Sequence, residues 1–282
     1  MSQTRSSQAS YTRFMVESAM MIAIATVLSM LKIIHMPYGG SVTLASMLPI
    51  IIVSYRYGLV KGLLAGVVFG TVQQLLGLNN LNYVSGWYSV IAVIVLDYLL
   101  AYAALGFGGL FRGKFGSQSA ELVLGGLLSC ILRFVCHFVS GFTVWAGWGV
   151  PSSGALIYSL SYNSTYMLPE TLVLLLVAWY LGGVLDFTAD QPVRVVKKAT
   201  SNTAAIYTAA GMLVLVAGVI ADIVMIFAKL QNSESGEWSM SGFSEVKWVN
   251  VIVVTAVCLV GGISLIVYSK LAAKKSAGDE IK

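Results

Sequence analysis

The chain has 282 residues, 57% of them hydrophobic and only 10% charged, with a mean hydropathy of +0.83. Soluble chains carry about 25% charged residues, so the composition excludes a soluble globular domain and points to an all-α polytopic membrane protein. The net charge of +5 lies in short loops between apolar runs, where membrane topology accounts for it without nucleic acid.

A polar, basic tail over residues 1–13 precedes an apolar run of about 20 residues, longer than the roughly 7–15 of a signal peptide. A retained first helix is therefore expected. Hydropathy places membrane segments at about 14–34, 42–56, 59–77, 86–107, 119–146, 156–185, 204–228 and 248–270. The second is short and opens on the loop MPYGG, so it is a candidate for partial re-entry. Residues 14–186 read as a six-helix membrane domain and 187–203 as a polar linker. A two-helix extension follows over 204–270, with a tail at 271–282.

Charge bias sets the orientation. With the N-terminus inside, the inner set is Arg5, Arg13, Arg56, Lys61, Arg112, Lys114, Arg194, Lys197, Lys198, Lys270, Lys274, Lys275 and Lys282. Lys32, Lys229 and Lys247 fall outside, and Arg133 is intramembrane. Both termini are expected in the cytoplasm of a cell whose bounding membrane holds the protein.

The third segment carries Gly58, Gly62, Gly66 and Gly70 on one helical face, a spacing that lets a second backbone approach closely. Ala19 and Ala23 make a smaller such surface on the first helix, where a partner could dock. Gly108, Gly113 and Lys114 in GGLFRGKF fit the spacing of a phosphate-binding loop. However, Phe115 stands where a hydroxyl must hold magnesium, and a membrane helix rather than a strand precedes it. We read this as coincidence, so any ATP use belongs to a partner. Cys130, Cys136 and Cys258 fall in apolar runs without metal-ligand spacing and read as small buried hydrophobes. Asp222 reads as a carboxylate satisfied by a neighbouring helix or the outer interface. Neither a metal nor a cofactor is expected.

The stretch Arg133–Glu170 places costly polar groups at membrane depth, which marks a functional site. Arg133, His137, Gly141 and Trp145 follow at four-residue steps on one helical face, and Asn163 and Glu170 share another. Pro169 is expected to kink its helix. Asp97 lies about 11 residues, roughly 16 Å, from the outer end of its helix. Asp97 and Glu170 oppose one cation, Arg133, leaving a residual −1 that suits a monovalent cation or a proton. Trp145, Tyr98 and Tyr158 offer aromatic faces for a flat cation. Trp87 and Trp148 suit either stacking or an interfacial belt, while His137 and Asn163 offer hydrogen bonds to a heterocycle's edge. Arg133 and Glu170 read as structural charge partners.

These residues resemble the thiamine-specific S component, the substrate-binding membrane subunit, of energy-coupling factor transporters. The resemblance covers roughly residues 12–186. It rests on MPYGGSVTLASMLPI at 36–50, LDYLLAYAALGFGGLF at 96–111, HFVSGFTVW at 137–145 and YSLSYNSTYMLPE at 158–170. It implies a six-helix bundle, here with two further C-terminal helices, that binds thiamine near the outer face under the loop between helices one and two. By the same resemblance Asp97, Tyr98, His137, Trp145, Tyr158 and Asn163 contact the vitamin. Ala19 and Ala23 would meet a transmembrane coupling subunit that works with two ATPases. Some members carry a tryptophan and a glutamate where Gly40 and Leu44 stand here, so Trp87, Tyr38 or His35 is expected to supply the roof contact.

Other readings stay open on residues alone. One is an S component for riboflavin, hydroxymethylpyrimidine or a queuosine precursor. Another is a proton-coupled secondary transporter using Asp97, Arg133 and Glu170 as a relay, although the inverted repeat that would favour it is not evident. No Ser/His/Asp order or metal motif supports an enzyme.

Overall fold

The computed structural model describes residues 2–36, 39–195, 202–230 and 240–279, in two compact units, Met1–Arg194 and Val195–Lys282. The first unit opens with helix α1 (Ser2–Met30), then a short antiparallel ribbon of β1 (Lys32–His35) and β2 (Ser41–Thr43). Helices α2 (Leu48–Tyr57) and α3 (Leu59–Leu76) follow. Next come the apolar helix α4 (Trp87–Gly109), α5 (Gln118–Gly147) and α6 (Ser152–Val184). A two-residue ribbon, β3 (Leu185–Asp186) with β4 (Val193–Arg194), closes the unit. The second unit is an independent pair, α7 (Asn202–Leu230) and α8 (Trp248–Asp279).

Seven of these helices are long and apolar enough to cross a membrane. The expected eighth, at 42–56, is corrected: its helix is α2, with 10 residues, about 15 Å against a hydrocarbon core of about 30 Å. The reason is local. Residues 41–43 pair with β1, Ala45 turns the chain with φ +52°, and Pro49 sits in the first turn of the helix, where its missing N–H costs nothing. Instead of spanning, α2 is the hub of the unit. Ile50, Ile51, Val53, Ser54 and Tyr55 are fully buried, and Leu105, Leu122 and Leu174 from three other helices join the same core.

Glycines let this hub be wrapped tightly. A Cβ at Gly62 would run into Ser54 of α2; one at Gly66 or Gly70 would meet the carbonyl oxygens of Tyr102 or Tyr98 on α4. Gly58 differs from the expected ladder: it sits at φ +90° between α2 and α3 with open space around it, so it serves the turn. Gly108 and Gly109 also pack, the first against Ile51 and the second against the Ser54 carbonyl. The helix α6 runs on through Pro169.

The end of the unit that holds Arg56 and Arg112 is cross-tied. Arg56 pairs with Glu17 at 2.9 Å and donates to the carbonyls of Phe187, Ala189 and Asp190. Asp186 accepts from the backbone and hydroxyl of Thr188, which holds its carboxyl below the usual range. In the second unit, Thr255 donates to Asp222 at 2.6 Å, and Thr208 to Ser269 at 2.8 Å, across α7 and α8. Asp222 is thus bonded to a neighbouring helix.

Candidate functional site

At the opposite end from Arg56, α4, α5, α6 and the β1–β2 ribbon enclose a cavity of about 150 Å³. Asp97 and Tyr98 reach it from Val93–Leu100, a stretch of α4 wound more loosely than an α-helix, with the Ala101 N–H bonding five residues back to Leu96. Single wide turns of this kind recur at functional sites because they re-aim side chains. His137 and Trp145 come from α5, and Asn163 from α6.

Two charged pairs sit in this region, and they differ. Arg133 meets Glu170 at 2.7 Å, with side chains 7% and 2% exposed. The other Glu170 oxygen accepts from Thr43 at 2.8 Å, and the guanidinium lies over the Tyr102 ring at 5.2 Å. Both carboxylate oxygens of this pair are thus engaged, while the guanidinium keeps Nε buried without a hydrogen-bond partner among the described residues. His137 Nδ1 meets Asp97 at 2.8 Å, with Asp97 still 23% exposed. Its ring Nε2 is buried with no hydrogen-bond partner among the described residues. The second pair is therefore open toward the cavity, with a carboxylate and an imidazole nitrogen in reserve.

The walls are aromatic. Trp145 is 8% exposed and stacks on Tyr158 at 5.1 Å, with Trp148 and Tyr162 edge-on to it. Tyr98 accepts from Asn80 at 3.0 Å. The Asn163 side-chain amide donates to the Ser159 carbonyl at 2.9 Å and accepts from Tyr166 at 2.8 Å. A neighbouring cavity of about 370 Å³ shares Tyr98, Tyr102 and Arg133 with the first and also touches Thr43 and Glu170.

The structure thus brings Asp97, Tyr98, His137, Trp145 and Asn163 to one cavity, with Arg133 at its edge. It keeps others away. Tyr158 lies behind Trp145 as a buttress. Trp87 is 62% exposed, stacks on Tyr88 at 3.6 Å and does not line the cavity. Leu44 is 47% exposed and lines neither cavity. Tyr38 and the side chain of His35 lie outside the described residues. Ala19 and Ala23 are exposed on α1.

Tyr102, Tyr162 and Tyr166 also line the cavity but were not among the expected site residues. The signal was available, since Tyr162 and Tyr166 lie four and eight residues beyond Tyr158 on the same face. Trp148 lines the cavity as well and donates its indole N–H to the Tyr83 carbonyl.

The family described as "Thiamine transporter protein (Thia_YuaJ)" matches residues 15–189. The chain belongs to the thiamine transporter protein family. It is similar to the thiamine transporter ThiT of Bacillus subtilis (strain 168), with 31% identity over 170 residues, 56% of this chain and 84% of that one. It is also similar to ThiT of Lacticaseibacillus paracasei, 27% identical over 158 residues, covering 51% and 73% of the two chains. A solved structure of ThiT from Listeria monocytogenes covers 60% of this chain and 92% of that one, at 22% identity and a TM-score of 0.49. Family membership makes this chain a multi-pass membrane transport protein rather than an enzyme. The matched region ends before α7, so the second unit lies outside it.

Proposed function

We propose that the chain is the substrate-binding subunit of an ATP-driven uptake system and that it captures extracellular thiamine at high affinity in the cavity beside the β1–β2 ribbon. The observation that carries this reading is the open Asp97–His137 pair next to Trp145, in a member of the thiamine transporter protein family. Thiamine joins an aminopyrimidine to a cationic thiazolium ring. Because Arg133 and Glu170 neutralise each other, Asp97 supplies the counter-charge. Two unit charges about 4 Å apart attract by about 4 kcal/mol at an effective dielectric of about 20, before desolvation is subtracted.

With Nδ1–H donating to ionised Asp97, His137 presents Nε2 as an acceptor for the pyrimidine amino group. Trp145 stacks on a ring, held in place by Tyr158. Tyr98 and Asn163 fix orientation by hydrogen bonds.

The same reading extends to partners and topology. The ribbon end faces outside, both termini face the cytoplasm, and the protein resides in the cell membrane. A transmembrane coupling subunit docks on α1 at the exposed Ala19 and Ala23, and two ATPases supply the energy. Calorimetry on purified protein against thiamine, riboflavin, hydroxymethylpyrimidine and a queuosine precursor tests the ligand. Thiamine should bind most tightly, and preference for another compound would overturn this assignment. Uptake by vesicles that lack ATP and stop on addition of a protonophore would replace the ATP-driven reading with a proton-coupled one.

A further inference from the structure

The side chains on one face of α6 make contacts that thiamine recognition alone does not require. Tyr162, Tyr166 and Glu170 are spaced four residues apart, so they form a strip along the helix. Glycine at position 40 leaves space that the first two fill: a Cβ there would press on the Tyr162 hydroxyl and the Tyr166 ring. The Gly40 N–H donates to the Tyr162 hydroxyl at 3.1 Å. Three residues later, Thr43 donates to Glu170 at 2.8 Å, and its hydroxyl is within 2.7 Å of Ser46. Three residues of extended chain advance about 10 Å and eight residues of helix about 12 Å, so the segment and the strip match in length. Gly40 and Ser41 line the cavity, as do Tyr162 and Tyr166.

We propose that Tyr162 is a positioning residue for ligand retention: its ring walls the cavity, while its hydroxyl, together with Glu170, seats the Gly40–Thr43 segment against the cavity. The inference rests on the thiamine-binding reading for its ligand, but the seat itself exists without ligand. A role follows for the Arg133–Glu170 pair. Arg133 holds one Glu170 oxygen so that the other is aimed at Thr43. The aromatic surface beside Gly40 is supplied by α6 through Tyr162 and Tyr166.

The test uses the full-length protein carrying Tyr162→Phe, which keeps the ring and removes the hydroxyl. Hydrogen exchange without ligand should show faster exchange at the Gly40 amide, by about 2- to 10-fold for one lost hydrogen bond. Stopped-flow quenching of tryptophan fluorescence by thiamine should show dissociation accelerated by a similar about 2- to 10-fold, with association nearly unchanged. Thr43→Val should act in the same direction, and Gly40→Ala more strongly, because its added methyl meets Tyr162 and Tyr166. Wild-type exchange at Gly40 in Tyr162→Phe would overturn the inference, whatever thiamine does. Wild-type dissociation in both Tyr162→Phe and Thr43→Val would also overturn it. Failure of the wild-type protein to bind thiamine would instead remove the ligand assignment and leave the exchange result to decide the seat.

Discussion

The two charged pairs at the ribbon end have the same composition, one acid and one base, but opposite settings. In Arg133–Glu170 both carboxylate oxygens are engaged and both side chains are shielded. In His137–Asp97 the carboxylate has one partner among the described residues and remains partly exposed to a cavity. A closed buried pair holds structure together and is costly to break, whereas an open one has interaction free energy left for a ligand. Substitutions should therefore separate the two cleanly.

The largest effect is expected from Glu170→Ala, which strands Arg133 in the core and should cost about 3–5 kcal/mol of stability. A large drop in melting temperature in detergent would show it, and wild-type melting would contradict the closed-pair account. Asp97→Asn should instead melt close to wild type. Its cost should appear in thiamine affinity, weakened by about 2–3 kcal/mol, or roughly 30- to 150-fold, for a lost charged hydrogen bond. Next comes Trp145→Ala, expected to weaken calorimetric affinity by about 1–2 kcal/mol through lost cation–π contact. Asp222 sharpens the contrast, because it too has one bonded oxygen and one without a partner among the described residues. It lies outside the region the family shares, so Asp222→Asn should leave thiamine affinity within about twofold of wild type. A larger loss would mean that the second unit takes part in binding.

Much of this contrast was legible in the sequence. Polar groups at membrane depth are rare enough that Asp97, Arg133, His137, Asn163 and Glu170 stand out against apolar helices, and the count of two acids against one cation left one carboxylate unmatched. Pairing Arg133 with Glu170 left Asp97 as that carboxylate, but the second Glu170 partner, Thr43, was not legible, because it arrives from a ribbon that hydropathy registers only as an apolar run. The same ribbon explains the misread second span: a helix ten residues long and a strand before it have the hydropathy of one longer segment. Trp87 was ambiguous for a different reason, since a tryptophan near a helix end suits an interfacial belt as well as a site, and only its exposure separates the two. The wide turn that carries Asp97 has no sequence signature comparable to a proline or glycine, so α4 read as an ordinary helix. Tyr158 and Tyr162 are both tyrosines on one face of α6, and only the packing separates them: Tyr158 stacks on Trp145 while Tyr162 lines the cavity.

The central claim is that Asp97 is the ligand's counter-charge while Glu170 belongs to the framework. Titration calorimetry of thiamine into purified wild-type and Asp97→Asn protein, each shown to melt normally, tests it most directly. The account predicts tight binding to the wild type and a roughly 30- to 150-fold loss in Asp97→Asn. Equal affinity in the two proteins would contradict it.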